Sequence, residues 1–265
     1  VDDLEEDLRR RDFTVNAMAA DGEGTVRDPC GGAGDLSSRI LRCVGDPAIR
    51  FQEDALRILR GLRFASQLGF TIEPYTGGAL LRYAELLREI SAERIWKELT
   101  ATLVGGAAAR VLEDYTPVLE TILPEITPCV GFEQHSPYHH RDVWGHTLEA
   151  LSYSKPEPVI RWALLLHDLG KPETFSLDDE GKGHFYGHPQ AGERIAEEIL
   201  TRLRADRRTR ETVCLLVRHH DGFAPPDRKN VRRWMGRFGE ERFFQLMEVM
   251  RTDALAHTRI PGTRQ

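Results

Sequence analysis

The stretch "WALLLHDLGKPET" (Trp162–Thr174) decides how the second half of the chain folds. Its first residues are apolar and predict the end of a buried helix. His167 and Asp168 follow directly, at a position that should lie in the core. Burying an ionised carboxylate is costly unless a charge or a metal ion partners it. The rest of the chain must therefore supply a partner for this pair.

The sequence on both sides of this stretch predicts a wholly helical region. The expected helices are approximately Val143–Tyr153, Pro158–Asp168, Pro189–Arg204, Arg210–His220, Lys229–Phe238 and Glu240–Ala256. Further imidazoles and a carboxylate lie on or at the ends of these helices, namely His146, His188, His219, His220 and Asp253. Helix ends can converge on one point, so we expect these side chains to meet. Imidazoles with carboxylates suit divalent transition metals, and carboxylates with water suit Mg²⁺ or Mn²⁺.

This order of residues resembles the HD-domain superfamily of metal-dependent phosphohydrolases, from about His135 to the C-terminus. The resemblance implies a first metal on His146, His167, Asp168 and Asp253. It implies further ligands at His188, which begins "HPQAG", and at His219 and His220, as in members with two metals. The expected ion is Mn²⁺, Ni²⁺ or Mg²⁺. Two alternatives remain. His167 and Asp168 could be a buried hydrogen-bonded pair without metal, or the site could bind metal and serve only as scaffold.

The same resemblance implies a reaction at this site. A water molecule activated by the metal would attack a phosphoester. Asp168 and Lys171 are the expected catalytic residues. Lys171 would contact the phosphate, a role that lysine fills as a point charge. The substrate class expected from the resemblance is a phosphomonoester or phosphodiester, such as a 2′,3′-cyclic end.

The first half of the chain begins with the pattern of a small sheet. Phe13, Val15 and Ala17 alternate with polar residues as in a strand, "ADGEG" predicts a turn, and "TVRDPCGG" predicts a short returning strand. From Asp46 onward the apolar residues recur at helical spacing, and Gly69 is the expected helix end. Further amphipathic helices are expected over "GGALLRYAELLREI", "SAERIWKELTATLVG" and "ARVLEDYTPVLETILPEI".

Two stretches, "RRDFTVNAMA" and "EDALRILRGLRFASQLGF", resemble signature motifs of the class II tRNA nucleotidyltransferase and poly(A) polymerase family. "DPCGGAGDL" lies between them and "SAERIWKEL" follows, in the order of the family. The resemblance implies a parent enzyme that adds C, C and A to tRNA 3′ ends from CTP and ATP, with Mg²⁺. The sequence does not separate a CCA-adding enzyme from a CC-adding, A-adding or poly(A)-adding relative.

Asp54 and Arg57 are three residues apart and are predicted to share one helix face. A carboxylate accepts from an exocyclic amine, and a guanidinium donates to a ring acceptor. Cytosine and adenine both present this amine and acceptor, whereas uracil and guanine present the reverse. The pair could therefore select C and A without a template. The resemblance adds Arg11 and Asn16 as contacts of the triphosphate and Asp12 as the contact of the ribose hydroxyl. The alternative is an ordinary salt-bridged helix surface.

One feature departs from the family pattern. The metal-binding carboxylates of the family lie before "RRDFT", in a Gly-rich loop and an Asp-x-Asp strand, and residues 1–10 contain neither. We therefore expect that the chain lacks the N-terminal catalytic part and that it does not add nucleotides alone. The expected fold class is mainly α. A remnant of a small α/β nucleotidyltransferase head would span 1–45, a helical neck that binds nucleotide and RNA 46–130, and an all-α HD domain 131–265.

Composition agrees with a globular protein of about two domains, since 40% of the 265 residues are hydrophobic and 29% are charged. No apolar run approaches the roughly 18 residues of a membrane helix, so no membrane partner is expected. Four scattered cysteines without a CxxC pair predict reduced thiols and a cytoplasmic location.

The net charge of −6 does not indicate a nucleic-acid binder by itself, but binding depends on local patches. The arginine-rich stretches "TRLRADRRTR" and "RKNVRRWMGR" could contact tRNA phosphates, or could be solvated helix surfaces. Two rival functions remain at this point. One is a stand-alone HD phosphohydrolase with an unrelated helical partner, and the other is a non-catalytic RNA-binding module.

Overall fold

The computed structural model describes residues 4–136, 140–222 and 227–257. The chain divides into two compact units, Val1–Ile122 and Leu123–Gln265. Helices dominate each unit and the strands are short, which confirms the predicted mainly α fold class. The finer division at residues 45 and 130 stays a prediction. None of the described helices has the length and the apolar character that crossing a membrane requires.

The first unit contains eight helices in its described part. They are α1 (Leu4–Arg9), α2 (Gly32–Ser38), α3 (Pro47–Glu53), α4 (Leu56–Leu68), α5 (Pro74–Arg82), α6 (Ala92–Leu103), α7 (Ala108–Asp114) and α8 (Thr116–Ile122). Its strands form an antiparallel pair, β1 (Ala19–Ala20) with β2 (Val26–Arg27), and a parallel pair, β3 (Ile40–Leu41) with β4 (Thr71–Ile72). Two 3₁₀ turns lie at Thr14–Asn16 and Ala84–Glu89.

The core of the first unit forms where α4 packs along α6. Leu62 on α4 and Leu99 on α6 have no exposed surface, as expected for the apolar faces of amphipathic helices. The Ser66 hydroxyl of α4 donates to the carbonyl of Thr102 on α6 at 2.7 Å. This packing fixes α4 and places its first turn at the unit's main pocket.

The predicted strand over Phe13–Ala17 is wrong. Phe13 forms one isolated bridge with Cys43, and the next residues make a 3₁₀ turn. The turn is held because the Thr14 hydroxyl donates to Asp35 at 2.7 Å. The alternation of apolar and polar residues reflects the burial of Phe13, but no continuous ladder of strand hydrogen bonds forms here. The predicted turn and returning strand are confirmed as the β1–β2 hairpin.

The helix expected from Asp46 to Gly69 is interrupted. Between α3 and α4, Asp54 has an extended backbone with φ −151° and ψ 101°. Its carboxylate accepts from the backbone N–H of Leu56 at 3.1 Å. Aspartate favours such local bonds over a helix interior. Asp54 and Arg57 therefore do not share one helix face, contrary to expectation, although α4 ends at Gly69 as predicted.

The second unit is an assembly of helices with one small hairpin. Its helices are α9 (Val143–Tyr153), α10 (Pro158–Leu166), α11 (Lys171–Thr174), α12 (His188–Arg202), α13 (Arg207–His219), α14 (Arg228–Phe238) and α15 (Glu240–Ala256). A 3₁₀ turn lies at Pro124–Cys129, and β5 (Ser176–Leu177) pairs antiparallel with β6 (Gly183–His184). The six predicted helices are confirmed, with ends that differ by no more than three residues.

Helix α10 is the central helix of this unit. Trp162, Leu164 and Leu165 have no exposed surface, and α10 packs against α9, α13 and α15. The buried Arg161 donates to the carbonyl of Ser154 at 2.8 Å, which satisfies the backbone just after α9. The C-terminal end of α10 thus lies deep in the unit, and it carries His167 and Asp168.

A glycine contact brings α12 against the turn that follows α10. A Cβ on Gly170 would lie 2.3 Å from the carbonyl oxygen of His188, and a Cβ on Gly192 would lie 3.1 Å from that of His167. Close-packed interiors do not tolerate such overlap. Because the glycines of "HDLGK" and "HPQAG" have no side chain, the two backbones can touch, and this contact positions His188 beside Asp168.

Candidate metal centre and nucleotide pocket

In the second unit, imidazoles and carboxylates from five helices or helix ends converge at the C-terminal end of α10. His146 Nε2 on α9 lies 2.8 Å from Asp253 Oδ1 on α15. His167 Nε2 lies 3.3 Å from Asp168 Oδ2 and 3.5 Å from Asp253 Oδ1. His146, His167 and Asp168 are at most 2% exposed, so this group of charges lies in the core.

Asp168 is shared between two sets of histidines. Its Oδ2 lies 3.3 Å from His167 Nε2 and 3.7 Å from His146 Nε2. Its Oδ1 lies 3.6 Å from His188 Nε2 and 3.7 Å from His220 Nε2. In each set the ligand atoms lie within 4.8 Å of one another, the spacing at which they could hold a metal ion. Asp168 would thus contribute a ligand atom to each set if divalent ions were held there.

Three of these histidines are oriented by the backbone. Their Nδ1 atoms lie 2.7–2.8 Å from carbonyl oxygens, His167 from that of Leu164, His188 from that of Phe185 and His220 from that of Val217. A carbonyl only accepts, so each Nδ1 donates, and each ring would present a lone pair at Nε2 when it is neutral, as metal binding requires. Bonds of this kind fix the rings of metal-binding histidines.

The lone pairs of His188 and His220 would face each other. Their Nε2 atoms lie 3.2 Å apart, and both side chains are buried. When both rings are neutral, two acceptors at this distance repel, and either a proton on one of them or a shared divalent cation relieves the repulsion. The buried Nε2 of His167 also lacks a well-aligned hydrogen bond. The cluster of imidazoles and carboxylates therefore fits a divalent metal ion.

The charges of neighbouring groups shift the pKa values of several residues in the cluster. Burial opposes protonation of His167, but Asp168 and Asp253 outweigh it and raise the pKa of His167 to about 10. Burial opposes ionisation of Asp168, but His167 and Lys171 hold its pKa well below the ordinary value. Burial lowers the pKa of His188, with His220 adding to this effect. The cluster therefore combines ionised carboxylates with positive charge close by.

Lys171 is buried beside the cluster. Its Nζ lies 2.7 Å from Asp168 Oδ2 and donates to Gln134 Oε1 at 2.8 Å. It also lies 5.4 Å from the centre of the Phe185 ring, at cation–π distance. A cavity of about 360 Å³ opens here, and its walls include Asp168, Lys171, His188 and His220. Lys171 thus faces the cavity while it neutralises Asp168.

The expectation for His219 is wrong. Its ring packs against Phe238 with centroids 4.9 Å apart, and it belongs to neither set around Asp168. Successive residues at a helix end lie about 100° apart, so only His220 of the pair faces the cluster. His257 was missed: its Nε2 lies 3.6 Å from Asp253 Oδ1 and its ring stacks on His146 at 5.2 Å. Its position four residues after Asp253 was the available signal.

The first unit has a pocket of about 640 Å³ that contains every predicted nucleotide-binding residue, Arg11, Asp12, Asn16, Asp54 and Arg57. The structure brings these five residues to one pocket, which Asp54 reaches from between two helices, and their contacts with a nucleotide stay predictions. The pocket wall also contains residues that the sequence motifs did not indicate, namely Asp7, Leu56, Arg60, Phe64 and Arg94.

Asp54 and Arg57 are held in place by other protein groups. Arg94 donates to Asp54 at 3.0 Å, from the first turn of α6. Arg57 donates to Glu53 at 2.8 Å and to the carbonyl oxygen of Arg10 at 3.1 Å. These bonds orient a carboxylate and a guanidinium at one pocket wall, where a ligand could contact both.

Asp12 is buried below the same pocket. One oxygen accepts from Arg60 at 2.6 Å, and the other accepts from the backbone N–H of Phe13 at 2.9 Å. Asn16 lies 3.4 Å from that second oxygen. Asp12 therefore anchors Arg60 at the pocket, and its contact with a ribose stays a prediction.

Three protein families match the sequence. The family described as "Poly A polymerase head domain" matches residues 1–42. "Probable RNA and SrmB- binding site of polymerase A" matches residues 69–129. "HD domain" matches residues 139–256. Arg11, Asp12 and Asn16 of the pocket lie in the head match, and the His/Asp cluster lies in the HD match except for His257.

Curated relatives extend this similarity across both units. The A-adding tRNA nucleotidyltransferase of Deinococcus radiodurans is 39% identical over 247 residues, which are 88% of this chain and 56% of that protein. The multifunctional CCA protein of Pseudomonas savastanoi pv. phaseolicola is 39% identical over 229 residues, which are 82% of this chain and 54% of that protein. The chain spans about half the length of the curated relatives it matches.

A solved structure shows the same arrangement of elements. The CCA-adding enzyme of Bacillus stearothermophilus in complex with CTP aligns with a TM-score of 0.72 and 29% identity, over 95% of this chain and 55% of that one. The matches run through both units, which excludes an HD domain joined to an unrelated helical partner. The chain belongs to the poly(A) polymerase and tRNA nucleotidyltransferase family and carries an HD domain.

Proposed function

We propose that the first unit selects CTP and ATP within a tRNA nucleotidyltransferase that adds C, C and A to tRNA 3′ ends, with Mg²⁺ and with tRNA as the partner. One observation carries this proposal, namely the single pocket that gathers Arg11, Asp12, Asn16, Asp54 and Arg57. The names of the relatives and the CTP complex of the solved neighbour support it.

The pocket walls suit a nucleoside triphosphate. Asp54 would accept from the exocyclic amine of the base, and Arg57 would donate to its ring acceptor. Arg11 and Arg60 would supply positive charge for the triphosphate, because guanidinium groups bind phosphate oxygens in bidentate fashion. Phe64, which forms part of the wall, would contact the apolar faces of the ligand.

Equilibrium dialysis of the 265-residue chain against CTP, ATP, UTP and GTP with Mg²⁺ tests this proposal. CTP and UTP differ at the edge that Asp54 and Arg57 would recognise, so CTP should bind more tightly. We expect the same preference for ATP over GTP. Equal affinity for all four nucleotides would remove base selection from the pocket.

We also propose that the second unit is a metal-dependent phosphohydrolase that acts on phosphodiesters such as 2′,3′-cyclic nucleotides. One observation carries this second proposal, namely the close grouping of His188 and His220, whose Nε2 atoms lie 3.2 Å apart, around the shared carboxylate of Asp168. His146, His167, Asp168 and Asp253 would hold one ion, and Asp168, His188 and His220 a second. A divalent ion there would supply Lewis-acid activation of water and positive charge for the phosphate.

The protein's own groups would prepare the substrate. Lys171 faces the cavity and would hold a phosphate oxygen by charge, while Gln134 fixes its ammonium group from behind. Burial of Asp168 and Lys171 keeps bulk water away and so strengthens their electrostatic interactions with a bound ion or phosphate. His257, beside Asp253, would complete the first ligand set.

A hydrolysis assay tests the second proposal. The purified chain would be incubated with 2′,3′-cyclic AMP and Mn²⁺, Ni²⁺ or Mg²⁺ in turn, with a chelator as control. We expect hydrolysis that depends on the metal. Bound metal without hydrolysis would leave a structural metal centre, and the absence of bound metal would contradict the site itself.

A further inference from the structure

One aromatic side chain at the cavity of the second unit is largely exposed to solvent. Tyr186 is 79% exposed, the largest value among the large hydrophobic side chains of the described residues. It nevertheless forms part of the cavity wall that also contains Asp168, His188 and His220. An exposed tyrosine contributes little to folding, because its apolar surface stays in water.

The Tyr186 ring is supported from one side. It stacks on His184 with centroids 5.2 Å apart and an angle of 6° between the planes. His184 Nε2 in turn lies 2.7 Å from Asp178 Oδ2. Asp178 also accepts from the backbone N–H of Lys182 at 2.9 Å, which closes the turn of the β5–β6 hairpin. The tyrosine ring is therefore backed by an imidazole that is itself held in place.

The β5–β6 hairpin is attached to the Gln134–His135 segment at Gly183 and is continued by α12, which begins with His188. The backbone N–H of Gly183 donates to the carbonyl of His135 at 2.9 Å, and a Cβ at Gly183 would lie 2.2 Å from the carbonyl oxygen of Gln134. After Tyr186, Gly187 takes a left-handed conformation with φ +86°, and α12 starts with His188. The aromatic ring is thus two residues from a candidate metal ligand.

These observations together indicate a phosphoester with an organic group that can contact an aromatic ring. A phosphate bound at His188 and Lys171 would carry its organic group toward the open part of the same cavity, where Tyr186 lies. We propose that Tyr186 stacks on the nucleobase of the substrate, and that this residue lets the site distinguish nucleoside phosphoesters from phosphoesters without a base. This inference rests on the proposed phosphohydrolase function of the same site. Stacking on an aromatic ring tolerates any base, so purines and pyrimidines should both be accepted.

The test compares substrates with and without a base. The value of kcat/KM would be measured with Mn²⁺ for 2′,3′-cyclic AMP and for glycerol 1,2-cyclic phosphate, which has the same cyclic diester and no ring to stack. Tyr186→Ala should lower the value for cyclic AMP by about 5- to 150-fold, as loss of one base–aromatic stack does. The value for the glycerol ester should not change. Tyr186→Phe should retain the wild-type values, because the ring and not the hydroxyl makes the contact.

A binding measurement separates this inference from the hydrolase proposal. Calorimetry with adenosine 2′-monophosphate and Mn²⁺ should show the same loss of affinity in Tyr186→Ala and none in Tyr186→Phe. Tyr153→Ala is the matched control, since Tyr153 is exposed on α9 and is not part of the cavity wall. If the wild type binds the nucleotide through Tyr186 but hydrolyses neither ester, the hydrolase proposal fails and the stacking role stands. Equal losses for both esters, or unchanged nucleotide affinity in Tyr186→Ala, would overturn the stacking role.

Discussion

The His/Asp cluster of the second unit and the arginine-lined pocket of the first unit both gather charged side chains, but burial separates them. His146, His167 and Asp168 are at most 2% exposed. In the pocket, the side chains of Arg11 and Arg94 are each 49% exposed. Buried charges depend strongly on their partners, whereas exposed ion pairs contribute about 0–1 kcal/mol to stability. Substitutions should therefore affect stability and metal binding in the cluster, and mainly ligand choice in the pocket.

The largest effect is expected at Asp168, the carboxylate common to two ligand sets. Asp168→Asn keeps the shape but leaves Lys171 and His167 buried without their anion, which should cost about 3–5 kcal/mol of unfolding free energy without metal. Loss of a direct ligand should weaken Mn²⁺ binding by more than about 100-fold, since loss of a supporting bond alone costs 10–100-fold. Urea denaturation and calorimetry measure the two quantities. Asp179→Asn, an exposed aspartate, is the control, and equal behaviour of both variants would refute the role of Asp168.

The contact between the two glycine motifs gives the next prediction. Gly170→Ala would place a methyl group against the backbone of His188, and relieving this overlap should cost about 1–3 kcal/mol. Gly236→Ala on α14 is the matched control, because its Cβ meets nothing within 4 Å and alanine favours helix by up to about 1 kcal/mol. Urea denaturation should therefore show opposite signs for the two variants. A neutral Gly170→Ala would contradict the close approach of α12.

In the pocket, the expected effect moves from stability to base choice. Arg57→Lys keeps the positive charge but loses the planar group that pairs with a base edge, so CTP should lose about 1–3 kcal/mol of its advantage over UTP. Equilibrium dialysis with both nucleotides measures the ratio. Arg88→Lys serves as control, since Arg88 is 66% exposed, pairs with the neighbouring Glu85 and is not part of the pocket wall. An unchanged ratio in Arg57→Lys would exclude this residue from base selection.

The smallest stability effect is expected for the ion pair between Arg94 and Asp54. Both side chains are partly exposed, at 49% and 35%, and lie 3.0 Å apart. Arg94→Ala should change the unfolding free energy by less than about 1 kcal/mol. It should still weaken CTP binding, because Asp54 loses the group that orients it. A stability loss as large as that of Asp168→Asn would erase the distinction between the two regions.

The helices of the second unit were predictable because local signals and burial agree there. Helix α9 begins and ends at the predicted residues, Val143 and Tyr153. Asp142 caps its start by accepting from the backbone N–H of Gly145 at 2.7 Å. Glu240–Ala256 likewise matches its prediction. Regular apolar spacing over many residues leaves few alternative structures.

The predictions that differ from the structure do so because of local hydrogen bonds or tertiary packing. Asp54 interrupts a helical pattern because one side-chain bond to Leu56 competes with the helix. The choice between His219 and His220 depends on the rotation at the end of α13. Spacing places His257 beside Asp253, but its stacking on His146 depends on the packing of α15 against α9, which the sequence does not reveal.

The number of divalent ions bound per chain tests the central claim most directly. The wild-type protein would be dialysed against Mn²⁺, freed of loosely bound metal and measured by inductively coupled plasma mass spectrometry, with the Asp168→Asn variant treated in the same way. The shared carboxylate of Asp168, with the two histidine sets around it, predicts two ions per wild-type chain and loss of both in the variant. A wild-type chain that binds no Mn²⁺ under these conditions would contradict the metal centre.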